Sequence, residues 1–480
     1  MTRRDTPTAT SSSTSGTVAE HTSAAVEPAL LARLNARGFR LVQLADLLGL
    51  LLVLVGTMWV RYGWGWPTYS MRAYAASFTV VLVAFLAALY FGGMYEREPR
   101  LGAPPVLPRA ARHTLAAGGL VALGNLAATG AARSLGWIPS NRAALALPVT
   151  NLVVLIVLGA VGVAVNRRLV MAVRTRREGP PSVLLLGTEA EVAVAEEHLR
   201  TDPTRARVVG HVSRVDGLVE AALDAGATDV VILSSRWLDG ISPDLLTELE
   251  ARHVTALHRV TARETMFGLE RVRQVGGMPF VVLRPHAMAL SRMRFKRFTD
   301  LAIVSALAPI LAPLTLLVSA YVLAVAGRPV LFWQVRVGAY GRTFRMVKFR
   351  TMRPDAEEDG NARLATQDDP RIIPACAFLR ATRFDELPQL WNVLRGEMSL
   401  IGPRPERPEL TAEFERQIPG YRRRHEIPPG LTGLAQIHGR YHTDPEYKLG
   451  YDLHYLINWS PVLDLEILAR TVWVVLTRRI

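Results

Sequence analysis

Four apolar runs limit what this chain can become before any motif does. Residues 41–60, 74–94, 114–132 and 147–165 are each close to the roughly 20 apolar residues that a helix needs to cross a bilayer. Half of the 480 residues are hydrophobic, and the mean hydropathy is positive, as in a membrane protein. The third run, with Gly118, Gly119, Gly124 and Asn125, is the weakest, and a buried soluble helix is the other reading of it. Four membrane helices over 41–168 are the economical count.

Arginines beside the runs orient them. Arg33, Arg37 and Arg40 precede the first run, and Arg97, Arg100, Arg109 and Arg112 separate the second from the third. Arg167, Arg168, Arg174, Arg176 and Arg177 follow the fourth. The positive-inside rule then places the N-terminal tail, the middle loop and everything after residue 165 in the cytoplasm. Residues 1–40 read as a disordered tail, rich in Ser, Thr and Ala up to about Pro28, with a basic approach to the first helix. No apolar h-region follows its two arginines, so the tail is not a signal peptide.

A formal charge of +14 admits nucleic acid, anionic lipid or phosphorylated substrates as partners. No nucleic-acid-binding motif occurs, which leaves lipid and phosphate. Cys376 is the one cysteine, which rules out an intramolecular disulfide and a cysteine metal cluster. Lysine occurs only at Lys296, Lys348 and Lys448, so a lysine is an informative choice in a chain that otherwise uses arginine.

Residues 180–286 change period. VLLLG, AEVAVAEEHLRT, VVGHV, GLVEAALDAG, DVVILS, PDLLTELEARH and VTALHRV alternate strand and helix, which predicts a parallel, doubly wound, Rossmann-like α/β domain. Its first turn, Gly187-Thr188-Glu189-Ala190, lacks the second glycine that lets a backbone approach a pyrophosphate. A structural or regulatory domain is expected.

A fifth apolar run, about 299–326, contains Pro309 and Pro313. Arg292, Arg294, Lys296 and Arg297 precede it, and Arg328, Arg336, Arg342 and Arg345 follow, so both ends favour one side of the membrane. The prolines interrupt the helical ladder near its middle, and a re-entrant hairpin is expected.

Residues 382–405, TRFDELPQLWNVLRGEMSLIGPRP, place Asp385 and Glu386 before a proline, a short amphipathic helix and a glycine stop. Pro388 suits the first helical turn, Leu390, Val393 and Leu394 supply one apolar face, and Gly396 ends it. Carboxylates at a helix start stay ionised and can receive a metal or a phosphate group, although capping alone accounts for an Asp-Glu pair.

Several motifs occur in order around this pair: GRPVLFWQVRVGAYGRTFRMVKFRTMRPDAE before it, then PPGLTGLAQIHGR and YDLHYLINWSPVLDLEILARTVWVV after it. Taken together, residues 291–480 resemble the bacterial sugar transferase family, the monotopic phosphoglycosyl transferases. The preceding spans and α/β domain resemble the family's long form, whose members start capsule, O-antigen or exopolysaccharide assembly. The resemblance implies a multi-pass protein of the bacterial inner membrane: four transmembrane helices, a Rossmann-like α/β domain, and a C-terminal α/β catalytic domain with a re-entrant membrane hairpin facing the cytoplasm. It also implies transfer of a sugar 1-phosphate from a nucleoside diphosphate sugar, usually a UDP-sugar, to polyprenyl (undecaprenyl) phosphate, releasing UMP. In this resemblance Asp385 is the nucleophile that forms an aspartyl phosphosugar, Mg2+ is required, and Asp385 and Glu386 are the candidate metal ligands. Lys348 and Arg350 of KFRTM, Arg380, and Arg404 of GPRP match family positions suited to binding substrate phosphates. The long forms suggest a homodimer.

Ala312-Pro313 departs from the family's Ser-Pro at the hairpin break. Residues 461–476, apolar but interrupted by Asp464, Glu466 and Arg470, suit an interfacial helix better than a span. His425, His438, His442 and His454 lack metal-ligand spacing and read as structural. A membrane scaffold or regulator with an inactive transferase region, and a hydrolase releasing the phosphosugar to water, are the alternative readings.

Overall fold

The structure, a computed structural model, describes residues 37–66, 69–96, 100–139, 142–200, 206–261, 273–275, 278–283, 288–353, 369–438 and 444–477. The Ser/Thr/Ala-rich tail, Arg97 and His442 lie outside the described residues. Four long helices open the chain: α1 (Arg37–Tyr62), α2 (Met71–Phe91), α3 (Val106–Ser134) and α4 (Val149–Glu178). Leu54, Met58, Val81, Phe85 and Leu155 fill the space between them, while Leu52, Val60, Leu123 and Leu126 remain exposed on the outside. Apolar residues all round are what helices carry when lipid is their solvent.

The polar residues of the third run have structural uses. A Cβ on Gly118 would fall 2.3 Å from Ile156 Cδ1, so the glycine lets this side chain of α4 pack directly on the backbone of α3. Asn125 and Thr129 serve the link between these two helices. Its consecutive N–H groups at Ala143, Ala144, Leu145 and Ala146 donate to Tyr69 Oη, Thr129 Oγ1, Asn125 Oδ1 and Ser77 Oγ, at 2.8–3.0 Å. Irregular backbone at the mouth of a bundle cannot pair within a helical ladder, and here side chains supply the acceptors.

The other end of the bundle holds the soluble domains. There Arg167 Nη2 pairs with Asp46 Oδ2 at 2.8 Å, Asn166 Nδ2 donates to the same carboxylate at 2.6 Å, and Arg167 Nε donates to the Met94 carbonyl at 3.1 Å. One of the flanking arginines is thus a buried, paired charge inside the bundle. The helix α4 runs on to Glu178 and leads into β1 (Ser182–Leu186). Arg100 meets Glu178 at 3.0 Å, and Leu101, from the link between α2 and α3, is buried in the α/β core.

That core is built by β1, α5 (Glu189–Arg200), β2 (Arg207–Val212), α6 (Leu218–Asp224), β3 (Asp229–Ile232), α7 (Pro243–Ala251), β4 (Thr255–Arg259), β5 (Arg273–Val275) and β6 (Met278–Leu283). The sheet order is β2-β1-β3-β4-β6-β5. Its first four strands are parallel, with α5 on one face and α6 and α7 on the other. The expected parallel sheet ends there, because β6 runs antiparallel to β4 and to β5. The link from β5 to β6 is too short for a crossover, so those two strands form a hairpin. At the Gly187 turn, Glu191 accepts from Thr188 N at 2.9 Å and from its Oγ1 at 3.0 Å, and it pairs with Arg236 at 2.7 Å. The chain's own carboxylate therefore occupies the anion position at the start of α5.

The fifth apolar run forms α8 (Leu290–Ala326), one 37-residue helix with Pro309 and Pro313 inside it. With it, five helices among the described residues are long and apolar enough to cross a membrane. The expected break is not seen as an interruption of helical structure. Each proline removes only one N–H from the ladder, and the neighbouring bonds, with Thr315 Oγ1 donating to the Leu311 carbonyl at 2.7 Å, carry the helix through. Both ends of α8 pack on the same C-terminal domain. Near its start Lys296 Nζ lies 3.2 Å from Asp464 Oδ2, and Asp300 accepts from Ser399 Oγ at 2.7 Å. Near its end Tyr321 donates to the Ala375 carbonyl at 2.8 Å, and Val318 and Val322 join a core with Phe349 and Leu379. The bundle reaches α8 as well, through Glu96 accepting from Ser291 Oγ at 2.5 Å and through Phe91 against Phe295.

Candidate active site

The C-terminal domain begins with an antiparallel hairpin, β7 (Leu331–Val337) and β8 (Thr343–Phe349). Phe332 opposes Lys348 and Arg336 opposes Phe344, and because opposed residues share a face, Lys348, Arg336 and Gln334 lie together. Next come α9 (Ala377–Ala381), a 3-10 turn at Phe384–Glu386, α10 (Gln389–Arg395) and β9 (Ser399–Ile401). The chain finishes with α11 (Pro408–Gln417), β10 (Gly430–Thr432) parallel to β9, α12 (Leu434–His438), α13 (Pro445–Asn458) and α14 (Pro461–Thr477).

The order of acids, proline, helix and glycine is as expected: Pro388 precedes α10, and Gly396, at φ 84°, closes it. The buried face of the helix differs. Val393 is buried, but Leu394 and Trp391 are 45% and 55% exposed, and Gln389 and Asn392 point inward. Asn392 explains the rotation. Its Nδ2 donates to the Arg345 carbonyl at 2.9 Å and to Glu397 at 2.7 Å, and its Oδ1 accepts from Val347 N at 3.2 Å. These bonds hold α10 against β8, the strand of Lys348. Replacing Asn392 with leucine would leave buried backbone groups unpaired, and we expect it to cost about 1–3 kcal/mol, read as a lower thermal midpoint of the detergent-solubilised chain.

The dyad sits on the end of α8. Phe384 and Leu387 of its turn pack on the core formed by Val318, Val322, Phe349 and Leu379. Arg383, just before the dyad, has a left-handed φ of 57°, a conformation that costs a non-glycine residue roughly 1–2 kcal/mol, and its Nη1 stands 3.5 Å from Glu386 Oε1. Asp385 is 8% exposed. Burial first, and the neighbouring Glu386 charge second, push its carboxyl up to about 6, against the pull of Lys348, Arg380 and Arg383. Lys348 is lowered, first by burial and then by Arg336 and Arg380, while Asp385 and Glu386 oppose the shift. A further carboxylate stands near: Arg371 holds Asp369 at about 2 through side-chain hydrogen bonds, and Arg380 adds to the effect.

The structure therefore brings together Asp385, Glu386, Lys348 and Arg380. It turns Arg350 elsewhere, with Nη2 donating to the Ala326 carbonyl at the end of α8. Arg404 is exposed on the loop between Pro403 and Pro405. Both of these prolines are trans, since Arg328–Pro329 is the cis peptide among the described residues. Sequence reasoning missed Arg383, Arg336, Asn392 and Asp369. A signal existed for Arg336, which lies an even number of strand positions from Phe332, the residue that faces Lys348.

Among the described residues no three His, Cys, Asp or Glu side chains converge on a metal position. Two carboxylates whose charges oppose each other in a buried turn are nevertheless a fitting donor set for Mg2+, which takes one or two carboxylates and completes its shell with phosphate and water.

Of the histidines, His438 stacks on Tyr451 at 5.4 Å, and His454 lies exposed beside Asn458. His425 is buried against Tyr421, and burial pushes its pKa down to about 3. In an unfolded chain the ring takes up a proton near 6.5, so its contribution to stability is whole above that pH and is lost as pH falls toward 3. At pH 5 the loss amounts to about 2 kcal/mol. The thermal midpoint of His425→Asn is expected to fall less between pH 7 and 5 than that of the wild type.

The helix α14 buries Asp464 and Ile467 and exposes Val462, Leu465, Val472 and Trp473.

The sequence model of the bacterial sugar transferase family matches residues 291–478. A UDP-glucose:undecaprenyl-phosphate glucose-1-phosphate transferase of Klebsiella pneumoniae is 39% identical over 208 residues, 42% of this chain and 44% of that protein. A UDP-N-acetylgalactosamine-undecaprenyl-phosphate N-acetylgalactosaminephosphotransferase of Aeromonas hydrophila is 35% identical over 228 residues, 47% of this chain and 53% of that protein. The chain thus spans about half the length of these two relatives. The sugar transferase EpsL of Bacillus subtilis (strain 168) is 42% identical over 181 residues, 38% of this chain but 86% of EpsL. With a relative this similar covered over nearly its whole length, the chain belongs to the bacterial sugar transferase family.

Proposed function

We propose that this protein transfers a sugar 1-phosphate from a UDP-sugar to undecaprenyl phosphate and releases UMP, as the first membrane step of polysaccharide assembly. The observation that carries the reading is the position of the dyad: Asp385 is buried among Lys348, Arg380 and Arg383, on a turn packed against the last turns of α8. A soluble donor and a lipid-borne acceptor can both reach a carboxylate at that level. The names of the Klebsiella and Aeromonas relatives support the same donor and acceptor classes.

An Asp385 carboxylate oxygen attacks the phosphorus that bears the sugar, and the bond from that phosphorus to the bridging oxygen breaks as UMP leaves. An oxygen of undecaprenyl phosphate then attacks the same phosphorus, and the aspartyl bond breaks, restoring the carboxylate. Lys348 and Arg380 offset the charge gathered when two anions meet, and the Arg404 loop reaches the donor phosphates from its side. Mg2+ held by Asp385 and Glu386 would neutralise the donor's pyrophosphate charge. The prolines, the basic residues at both ends and the packing of both ends on one domain support α8 as a re-entrant helix. The arginine distribution supports a cytoplasmic catalytic domain on the bacterial inner membrane.

The test uses membranes bearing the full chain, labelled UDP-glucose and UDP-N-acetylgalactosamine, undecaprenyl phosphate and Mg2+. Label is expected in the lipid fraction. Water-soluble sugar phosphate would show a hydrolase instead, and no product from a wider panel of nucleotide sugars would favour the scaffold reading.

A further inference from the structure

The loop that carries Arg404 is held at every carbonyl. Those of Pro403, Arg404, Pro405 and Glu406 accept, in order, from Gly430 N at 2.9 Å, Arg424 Nη2 at 3.0 Å, Arg336 Nη1 at 3.0 Å and Val337 N at 3.0 Å. The prolines fix φ on both sides of Arg404. On the inner side the backbones nearly touch, since a Cβ on Gly430 would lie 2.0 Å from Gly402 N. The backbone of Arg404 is therefore set while its side chain stays exposed.

Two of the four donors are guanidinium groups, and they differ in place. Arg424 is 4% exposed, deep in the domain, where it pairs with Asp452 at 2.9 Å. Arg336 stands at the rim, on the hairpin face that also carries Lys348. Its Nε and Nη2 both donate to Gln334 Oε1, at 3.2 and 2.7 Å, and Nη1 lies 4.0 Å from Glu406. Gln334 thus aims the planar group, and Nη1 delivers the aim to the Pro405 carbonyl. Proximity to the reacting centre is independently marked by the charge of Arg336 acting on Lys348.

We propose that Arg336 is a positioning residue of the transfer site, registering the Arg404 loop against the Lys348 face so that Arg404 meets the donor phosphates. The assignment rests on the reading of Arg404 as a phosphate ligand given above. Arg336 itself is committed to Gln334, Pro405 and Glu406, so it acts through Arg404.

The experiment is a double-mutant cycle on the purified full chain, with Arg336→Gln, Arg404→Gln and the pair, in which kcat and KM for the UDP-sugar are measured separately. Arg336→Gln is expected to raise KM about tenfold and to change kcat by less than about threefold. On an Arg404→Gln background it should add less than about twofold, since both changes remove one interaction. Arg336→Lys should recover little, because one ammonium cannot satisfy Gln334 and Pro405 together. Multiplying effects in the double variant, a loss confined to kcat, or wild-type kinetics in Arg404→Gln beside an impaired Arg336→Gln would each overturn the assignment. Gln334→Leu, which removes the aim and keeps the guanidinium, gives the same reading if Arg336→Gln does not fold. A wild type that transfers no sugar phosphate would remove the functional reading, and this assignment with it.

Discussion

Asp385→Asn is expected to lower sugar phosphate transfer by at least about a thousandfold, or roughly 4 kcal/mol of barrier. The amide keeps the shape of the side chain in a site with little room, but it has no anionic oxygen to attack phosphorus. Folding should survive. Because burial raises the Asp385 pKa above its value in the unfolded chain, its ionisation at neutral pH works against folding, and a neutral replacement holds or raises the thermal midpoint. The two measurements together are decisive: transfer is lost from a chain that still melts like the wild type. An asparagine variant that transfers at the wild-type rate would remove Asp385 as the nucleophile.

Lys296→Met should cause the largest loss of stability. Lys296 is 2% exposed, 3.2 Å from Asp464 Oδ2 and 3.9 Å from Asp300 Oδ1. Asp464 also accepts from Tyr455 Oη at 2.7 Å and Trp459 Nε1 at 3.0 Å, and Asp300 accepts from Ser399 Oγ. This cluster ties α8 to β9, α13 and α14. Removing the Lys296 cation leaves two buried carboxylates facing each other, at a cost of about 3–5 kcal/mol. Adding Asp464→Leu should return part of that loss, because one stranded charge goes, but not all, because Tyr455 and Trp459 then lack their acceptor. Thermal unfolding in detergent measures both variants. A Lys296→Met chain melting within about one degree of the wild type would show that the cluster does not hold the helix.

How much of this was legible beforehand varies with the kind of interaction. The long apolar helices were readable because length and apolarity are local properties, and the turn and short helix after the Asp-Glu pair were readable because a helix start and a glycine stop are local too. The orientation of α10 was not, since its three apolar residues suggest one buried face while Asn392 turns another face inward to reach the edge of β8. The polarity of the third run had the same origin. Asn125 and Thr129 weaken a span by composition, and their partners lie beyond the helix, at Leu145 and Ala144. Arg350 shares its parity with Lys348 and looked like a second phosphate ligand, yet its guanidinium meets the end of α8, because β8 ends at Phe349 and the alternation of faces does not carry past it. Arg383 and Arg336 were hidden by abundance: in a chain so rich in arginine, composition cannot single out the few that face a carboxylate.

The seat of the dyad on Val318 and Val322 has a mechanical consequence. An apolar helix seated in a bilayer shifts or tilts when the bilayer thickens or thins. The last turns of α8 carry the turn of Asp385, so under the proposed function a change of acyl-chain length would alter how far that carboxylate stands from a lipid-borne acceptor.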